Sequence, residues 1–332
     1  MLLGVGNLKL LIISMYRIRH QKTRIFKIIV LMTTMLSVNA FSQQLSLSSE
    51  YMFNQFLINP AATGNTRFLE LRLNSRKQWT GFEGGPLTNS ISAHKLLGNK
   101  TMGLGMSIFT DSYGPENRLG FKVSYSYIMP MKSIKSNLAL GVAFHGFQYS
   151  INYDELEAIE DGDESLQQKG KETVFVPDAD FGVYLYNKKY SVGISVNQLV
   201  NIPINVGSES YNDNYMIRHY YLMGSYLVKI NEDFDIEPSA LIKATEVAPI
   251  QADINLRLWY KQSYWVSVSY RSKTTVVGML GVRYNNFVFG YAYDYYFNEI
   301  QTVQAGSHEI VLGYNFGQNL TSNALLESIR TF

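Results

Sequence analysis

The chain has 332 residues, 46% of them apolar and 14% aromatic, with 24 tyrosines and no cysteine. Without cysteine there is no disulfide, no thiol nucleophile and no thiolate metal site. The 29 basic and 27 acidic residues give a formal charge of +2; without its first 42 residues, which hold six basic and no acidic ones, the chain falls to 23 against 27, or −4. A nucleic-acid-binding surface needs concentrated positive charge, and this composition excludes that class of partner.

The chain begins as an export signal. Arg17, Arg19, Lys22, Arg24 and Lys27 precede the apolar run from Ile28 to Val38, which ends in the small-residue site Val38-Asn39-Ala40. The run falls short of the roughly 20 residues that a membrane-spanning helix needs, so cleavage near Ala40 or Ser42 is expected rather than anchoring. A second apolar stretch, Leu10 to Ser14, lies ahead of the basic cluster, and the signal fits a start at Met15. Residues 1–42 are thus read as signal peptide, the first fourteen as a mis-called start.

Residues 43–66 neither alternate nor follow a helical period, and they contain Asn59-Pro60 and Gly64. Tyr51, Phe53 and Phe56 argue for a packed segment over a disordered tail. It is expected to be either a plug inside a barrel or a docking segment beneath one.

From Arg67 onward the chain is a succession of period-two segments. Between Ile250 and Tyr260, Ile250, Ala252, Ile254, Leu256, Leu258 and Tyr260 share one face, opposite Gln251, Asp253, Asn255, Arg257 and Trp259. Leu69, Leu71 and Leu73 oppose Glu70, Arg72 and Asn74 in the same way, as Phe287, Phe289 and Tyr291 oppose Gly290, Ala292 and Asp294. Strands are predicted at residues 67–79, 88–96, 102–112, 118–129, 136–150, 178–186, 190–199, 217–228, 234–243, 250–260, 263–271, 274–284, 286–295 and 307–316. Many are about ten residues long, the length of a tilted strand crossing a bilayer. No stretch after the signal approaches 18 uninterrupted apolar residues, so the remaining spanning architecture is a closed barrel.

A soluble sandwich would also alternate, but it has no reason to sort its connections by length. Here alternate connections are short (residues 97–101, 130–135, 187–189, 229–233 and 261–262, and Asn285), while most of the others, such as 80–87, 151–177, 200–216 and 296–306, are long. That is the bacterial outer-membrane pattern, with short periplasmic turns and long outer loops. The fold expected is all-β: a transmembrane antiparallel up-and-down β-barrel of about fourteen strands over residues 67–316, followed by a short periplasmic tail, 317–332. Its final strand ends in Ile310, Leu312, Tyr314 and Phe316, similar to an insertion signal for barrel assembly.

At this point the motifs become recognisable. The run Tyr51-Met52-Phe53-Asn54-Gln55-Phe56-Leu57-Ile58-Asn59-Pro60-Ala61-Ala62-Thr63-Gly64 is followed by Arg76-Lys77-Gln78-Trp79-Thr80-Gly81 and Gly85-Pro86. Later come Glu237-Pro238-Ser239 with Lys243, the run from Pro249 to Asn255, Tyr270-Arg271, Tyr293-Asp294-Tyr295 and Gly306-Ser307-His308-Glu309-Ile310. This series resembles the PorP/SprF family of type IX secretion and gliding-motility membrane proteins along essentially the whole mature chain. The resemblance implies a non-enzymatic outer-membrane component, in Bacteroidetes-type bacteria, that helps deliver or anchor a secreted adhesin with a type B C-terminal domain. It implies partners in that adhesin, in periplasmic or lipoprotein components of the machinery and in outer-membrane lipid, and no cofactor. Some relatives carry a peptidoglycan-binding domain that is not expected here. A solute-selective or passive porin is the alternative.

The motif residues Asn54, Asn59, Pro60, Gly64, Arg76, Gln78, Trp79, Gly81 and Pro86 are therefore expected at a plug, a docking site or the lumen. Alternation turns Glu70, Arg72, Arg76, Gln78, Lys122, Asp235, Glu237, Asp253, Arg257, Arg271 and Arg283 inward. Mixed charges inside a barrel pair with one another or with a plug; the other reading is a permeation path. The histidines after the signal, His94, His145, His219 and His308, lack metal-ligand spacing, and no nucleophile motif accompanies them. Glu160-Asp161-Gly162-Asp163-Glu164 lacks the spaced ligand series of a calcium loop and reads as a solvated acidic loop. The connections at 151–177 and 200–216, the latter rich in Asn and Tyr, are candidates for contact with a protein client.

Overall fold

The computed structural model describes residues 51, 54–98, 100–156, 169–204, 206, 215–272 and 274–317. The signal segment, the acidic loop at 160–164, part of the 200–216 connection and the tail beyond 317 lie outside the described residues.

Fifteen strand segments form one antiparallel sheet: β1 (Leu69–Lys77), β2 (Leu87–Leu96), β3 (Met102–Tyr113), β4 (Glu116–Met131), β5 (Ser136–Asn152), β6 (Lys171–Tyr186), β7 (Tyr190–Asn197), β8 (His219–Tyr226), β9 (Val228–Lys229), β10 (Phe234–Thr245), β11 (Gln251–Tyr260), β12 (Tyr264–Arg271), β13 (Thr275–Tyr284), β14 (Phe287–Tyr296) and β15 (Ser307–Phe316). β8 and β9 pair with β10 in one continuous register, so they make a single stave and the staves number fourteen. Each stave pairs with its neighbours in the chain, and β15 returns to β1 with Leu69 opposite Phe316. The sheet closes on itself, which satisfies its backbone groups and leaves no edge in the bilayer.

Alternation decides which side chains meet lipid. Along β12, Tyr264, Val266, Val268 and Tyr270 are exposed on the outside, while Trp265, Ser267, Ser269 and Arg271 are buried inside. Aromatic rings gather at both rims, as in Phe234 against Tyr260 (5.1 Å between centroids) and Phe287 against Tyr314 (4.8 Å) at the short-turn end and Tyr270 stacked on Phe297 (6.2 Å) at the other. Such girdles mark the two membrane interfaces, and the end with short turns faces the periplasm.

Two local expectations fail. Residues 171–177, read as the end of the long connection 151–177, extend β6 so that Pro177 lies opposite Gly146 of β5. β7 pairs only with residues 181–186 of β6, so Pro177 sits where that strand is an edge and needs no second donor. Residues 113–117, left as a connection between the strands predicted at 102–112 and 118–129, instead continue β3 and β4 to a two-residue turn at Gly114-Pro115, with Gly114 at φ +52°. As a result β4, β5 and β6, of 16, 17 and 16 residues, rise above the eight-residue β7 on the outer side.

Candidate functional site: the occupied lumen

The segment before β1 lies inside the barrel. Two short 3-10 turns, Gln55–Leu57 and Pro60–Ala62, carry Phe56, Ile58, Ala61 and Ala62 into a buried cluster with Ile128, Ala139, Tyr184, Tyr221, Met223 and Leu241 of the wall. Burying Phe56 and Ile58 stabilises the seated segment by about 3–6 kcal/mol relative to exposing both.

The wall is shaped to take the segment. A Cβ on Gly141 would overlap the backbone of Ala61, one on Gly182 the carboxamide of Asn59, and one on Gly103 the carbonyl of Thr63. Glycine at these lumen positions lets the plug backbone approach the sheet where any side chain would hold it off. Gly64 leaves the plug at φ +73°, and its N–H donates to Nδ1 of His94 at 3.1 Å.

Polar groups complete the seat. Asn59 is fully buried; its Nδ2 donates to the carbonyls of Val183 (3.1 Å) and Ile194 (3.3 Å) while its Oδ1 accepts from the N–H of Ala61 at 2.9 Å. The wall donates back to plug carbonyls: Lys122 Nζ to Leu57 (2.8 Å), Ser195 Oγ to Ile58 (2.9 Å) and Ser126 Oγ to Thr63 (2.6 Å). Irregular backbone at membrane depth is tolerated only when satisfied in this way. Tyr51, at the start of the plug, has its phenol pushed well above its usual range, first by burial and then by the nearby carboxylate of Asp253.

Beyond the plug, on the outer side, an internal cavity of about 200 Å³ has Asn54, Leu57 and Ile58 at its floor and Arg118 and Phe147 among its walls. Ile202, Ile204, Val206 and Met216 of the β7–β8 connection pack on Phe147, Tyr149 and Val176, so that loop turns inward over the tall side of the barrel.

The lumen charges form separate networks. Arg76 donates to Asp294 (2.7 Å) and Glu309 (2.9 Å), and Arg271 joins Asp294 (3.4 Å) to Asp253 (3.0 Å). Glu70 pairs with Arg72 at 2.9 Å and faces His94 Nε2 at 3.5 Å, which links this pair to the plug through Gly64. Lys122 meets Asp180 at 2.6 Å beside His145 at 3.0 Å. Nearer the periplasm, Arg257 reaches Glu237 at 3.5 Å, and Arg283 lies over the ring of Trp259 at 4.4 Å.

The motif residues thus divide between two ends of the molecule. Asn54, Asn59, Pro60 and Gly64 lie in the plug; Gln78, Trp79, Gly81 and Pro86 lie at the outer rim. There Gln78 N–H donates to the Pro86 carbonyl at 2.8 Å, Trp79 N–H to Ser307 Oγ at 3.1 Å and Thr80 N–H to the Gly306 carbonyl at 2.8 Å, tying two outer loops across the β1–β15 junction. Gly81, at φ +89°, turns the first of them. Arg76 lies between these groups and meets residues of two later motifs, Asp294 and Glu309. Asp180, Asp294, Glu309 and His94 were not singled out as site residues from the sequence, although alternation places Asp294 on the inner face. No group of three or more His, Asp or Glu residues able to hold a metal occurs among the described residues.

The model for Type IX secretion system membrane protein PorP/SprF matches residues 40–314. The chain belongs to the PorP/SprF family. It is an outer-membrane barrel of the type IX secretion system, a membrane secretion component. None of the curated proteins matches it. Similar solved structures include the Acinetobacter baumannii outer membrane protein Omp33 (10% identity, 76% of this chain and 99% of that one, TM-score 0.44) and the Pseudomonas putida toluene transporter TodX (9%, 84% and 96%, 0.46). A Pseudomonas aeruginosa FadL homologue is similar at 9% identity over 82% of this chain and 95% of that one, TM-score 0.45. At these values nothing about a transported substrate passes to this PorP/SprF protein.

Proposed function

We propose that this barrel helps deliver or anchor a secreted adhesin with a type B C-terminal domain at the cell surface, with its outer loops toward the client and its periplasmic end toward soluble or lipoprotein components of the secretion machinery. Export through cleavage of residues 1–42 and a role in gliding motility belong to the same reading. The observation that carries it is the occupied lumen. A segment held by buried hydrogen bonds and glycine-lined contacts leaves a barrel that works through its surfaces, whereas a solute-selective porin needs a continuous aqueous path.

The test is gentle detergent extraction from the native outer membrane, affinity capture of this chain and mass spectrometry of what stays bound, together with conductance in planar bilayers. Recovery of a large surface protein with a type B C-terminal domain and a silent bilayer support the proposal. Recovery of the barrel alone with steady ion conductance overturns it in favour of a porin.

A further inference from the structure

The lipid-facing wall of β1, β2 and β3 carries a row of polar side chains. Ser75, Asn89 and Thr110 point outward from these strands, and the register sets them side by side, Ser75 opposite Asn89 and Asn89 opposite Thr110. Ile310 of β15 and Leu119 of β4 continue the row on either side, and Leu73, Ile91 and Ile108 lie in the outward row beneath. From β7 to β14, by contrast, every outward position is aliphatic, aromatic, glycine or proline. In β11, β12 and β13 the second outward position from the outer end, the place that Ser75 holds in β1, is Ile254, Val268 and Gly278.

The row lies below the rim. Tyr314, in the aromatic girdle at the short-turn end, lies opposite Leu71, and Ser75 follows four residues on. At roughly 3.3 Å per residue and a tilt of about 40°, that is about 10 Å toward the outer leaflet, inside an apolar band about 25 Å tall. The short side chains leave a recess of about 340 Å³ among their aliphatic neighbours. Ser75 Oγ donates to Asn89 Oδ1 at 2.7 Å, while Asn89 Nδ2 and the Thr110 hydroxyl have no partner among the described residues. A hydrogen-bonding group turned to hydrocarbon without a partner costs free energy, so the recess suits an occupant that supplies one. One outward row higher, Lys77 lies opposite His308 at the outer end of the wall.

We propose that this recess binds one hydroxylated acyl chain of an anionic outer-leaflet lipid, the chemistry of lipid A. The chain lies on Leu73, Ile91 and Ile108, its hydroxyl bonds Asn89 and Thr110, and its phosphate meets Lys77. Ser75 lies two residues below Lys77, about 5 Å along the membrane normal, which fits a hydroxyl a few bonds below the head. A lipid with unsubstituted chains offers nothing at that depth for Asn89 and Thr110 to bond. A protein is the poorer fit, because three staves span only about 10 Å, whereas a specific protein interface buries about 800 Å² on each partner.

The test is native mass spectrometry of the full barrel in detergent with two probes: 2,3-bis(3-hydroxymyristoyl)glucosamine 1-phosphate, and dimyristoyl phosphatidic acid, which is anionic but not hydroxylated. The parent should prefer the hydroxylated probe about tenfold, the worth of two ordinary hydrogen bonds. S75A/N89A/T110A, made only more apolar on its lipid face and first checked for the heat-modifiable migration of a folded barrel, should bind both probes within about twofold of each other. K77Q should weaken both probes alike. In cells, a photo-crosslinking residue at Ile91 should give lipid adducts. No preference in the parent, or a preference that survives in the triple variant, overturns the inference. So does K77Q binding both probes as the parent does, or a protein adduct at Ile91, which would assign the recess to a neighbouring polypeptide.

Discussion

Asn59 and Gly182 fill one another's space: the carboxamide of Asn59 lies where a Cβ on Gly182 would be, and its Nδ2 donates to the carbonyl of Val183 next to that glycine. The plug is held by this fit, so a methyl group at the seat disturbs it more than the barrel. Gly182→Ala, and likewise Gly141→Ala, is expected to destabilise plug docking by about 1–3 kcal/mol, as overpacking does. In planar bilayers the variants should show transient conductance that the parent lacks. A silent Gly182→Ala barrel would show that the seat yields without releasing the segment.

Lys122 holds the plug from the far wall through the Leu57 carbonyl and is itself paired with Asp180. Replacing it with methionine leaves both acceptors without their cation. Hydrogen exchange followed by mass spectrometry should show faster exchange in the peptide covering residues 54–64, tenfold for each ~1.4 kcal/mol of seating energy lost, with little change in β10 to β14. Uniform acceleration throughout the barrel would mean that Lys122 serves overall stability instead.

Arg76 is the common partner of Asp294 and Glu309, all three being almost inaccessible. Removing the buried cation takes its short contacts from both carboxylates, with Arg271 at 3.4 Å still beside Asp294, and Arg76→Met should cost about 3–5 kcal/mol of barrel stability. Removing the carboxylates as well, in R76M/D294N/E309Q, should restore much of that loss. Both are measured by urea titration of folding into liposomes. A triple variant no better than R76M would contradict the pairing.

The three tryptophans test which side of the sheet is which. Trp259 and Trp265 are buried in the lumen and Trp79 lies at the outer rim. Brominated acyl chains should therefore quench little of the fluorescence of the reconstituted protein. Strong quenching would place these rings in lipid and reverse the inside–outside assignment.

Val268 lies midway along β12 on the lipid side. Val268→Arg should lose about 2–4 kcal/mol of folding free energy in liposomes, the cost of arginine at the bilayer midplane. The inward Ser267→Thr should cost less than half of that. Similar losses in both would mean that β12 does not alternate between lipid and lumen.

The sequence by itself determined the staves, their two faces and the end bearing short turns, because a period of two residues and turn chemistry are local properties of the chain. It also carried the family, through motifs spread from Tyr51 to Ile310. It placed the start of β6 at residue 178 rather than at Lys171; the strand carries Pro177 because, beyond the shorter β7, it is an edge there.

Only the tertiary structure decided what the motifs do to one another. Arg76 and Asp294 are 218 positions apart and meet because the sheet closes through β14 and β15 onto β1. The seat of the plug was equally hidden. Gly103, Gly141 and Gly182 look like weak points of three strands in the sequence, and they become a binding surface only when closure turns them toward one interior. Closure is a global condition on register and stave number, and no window of the chain contains it.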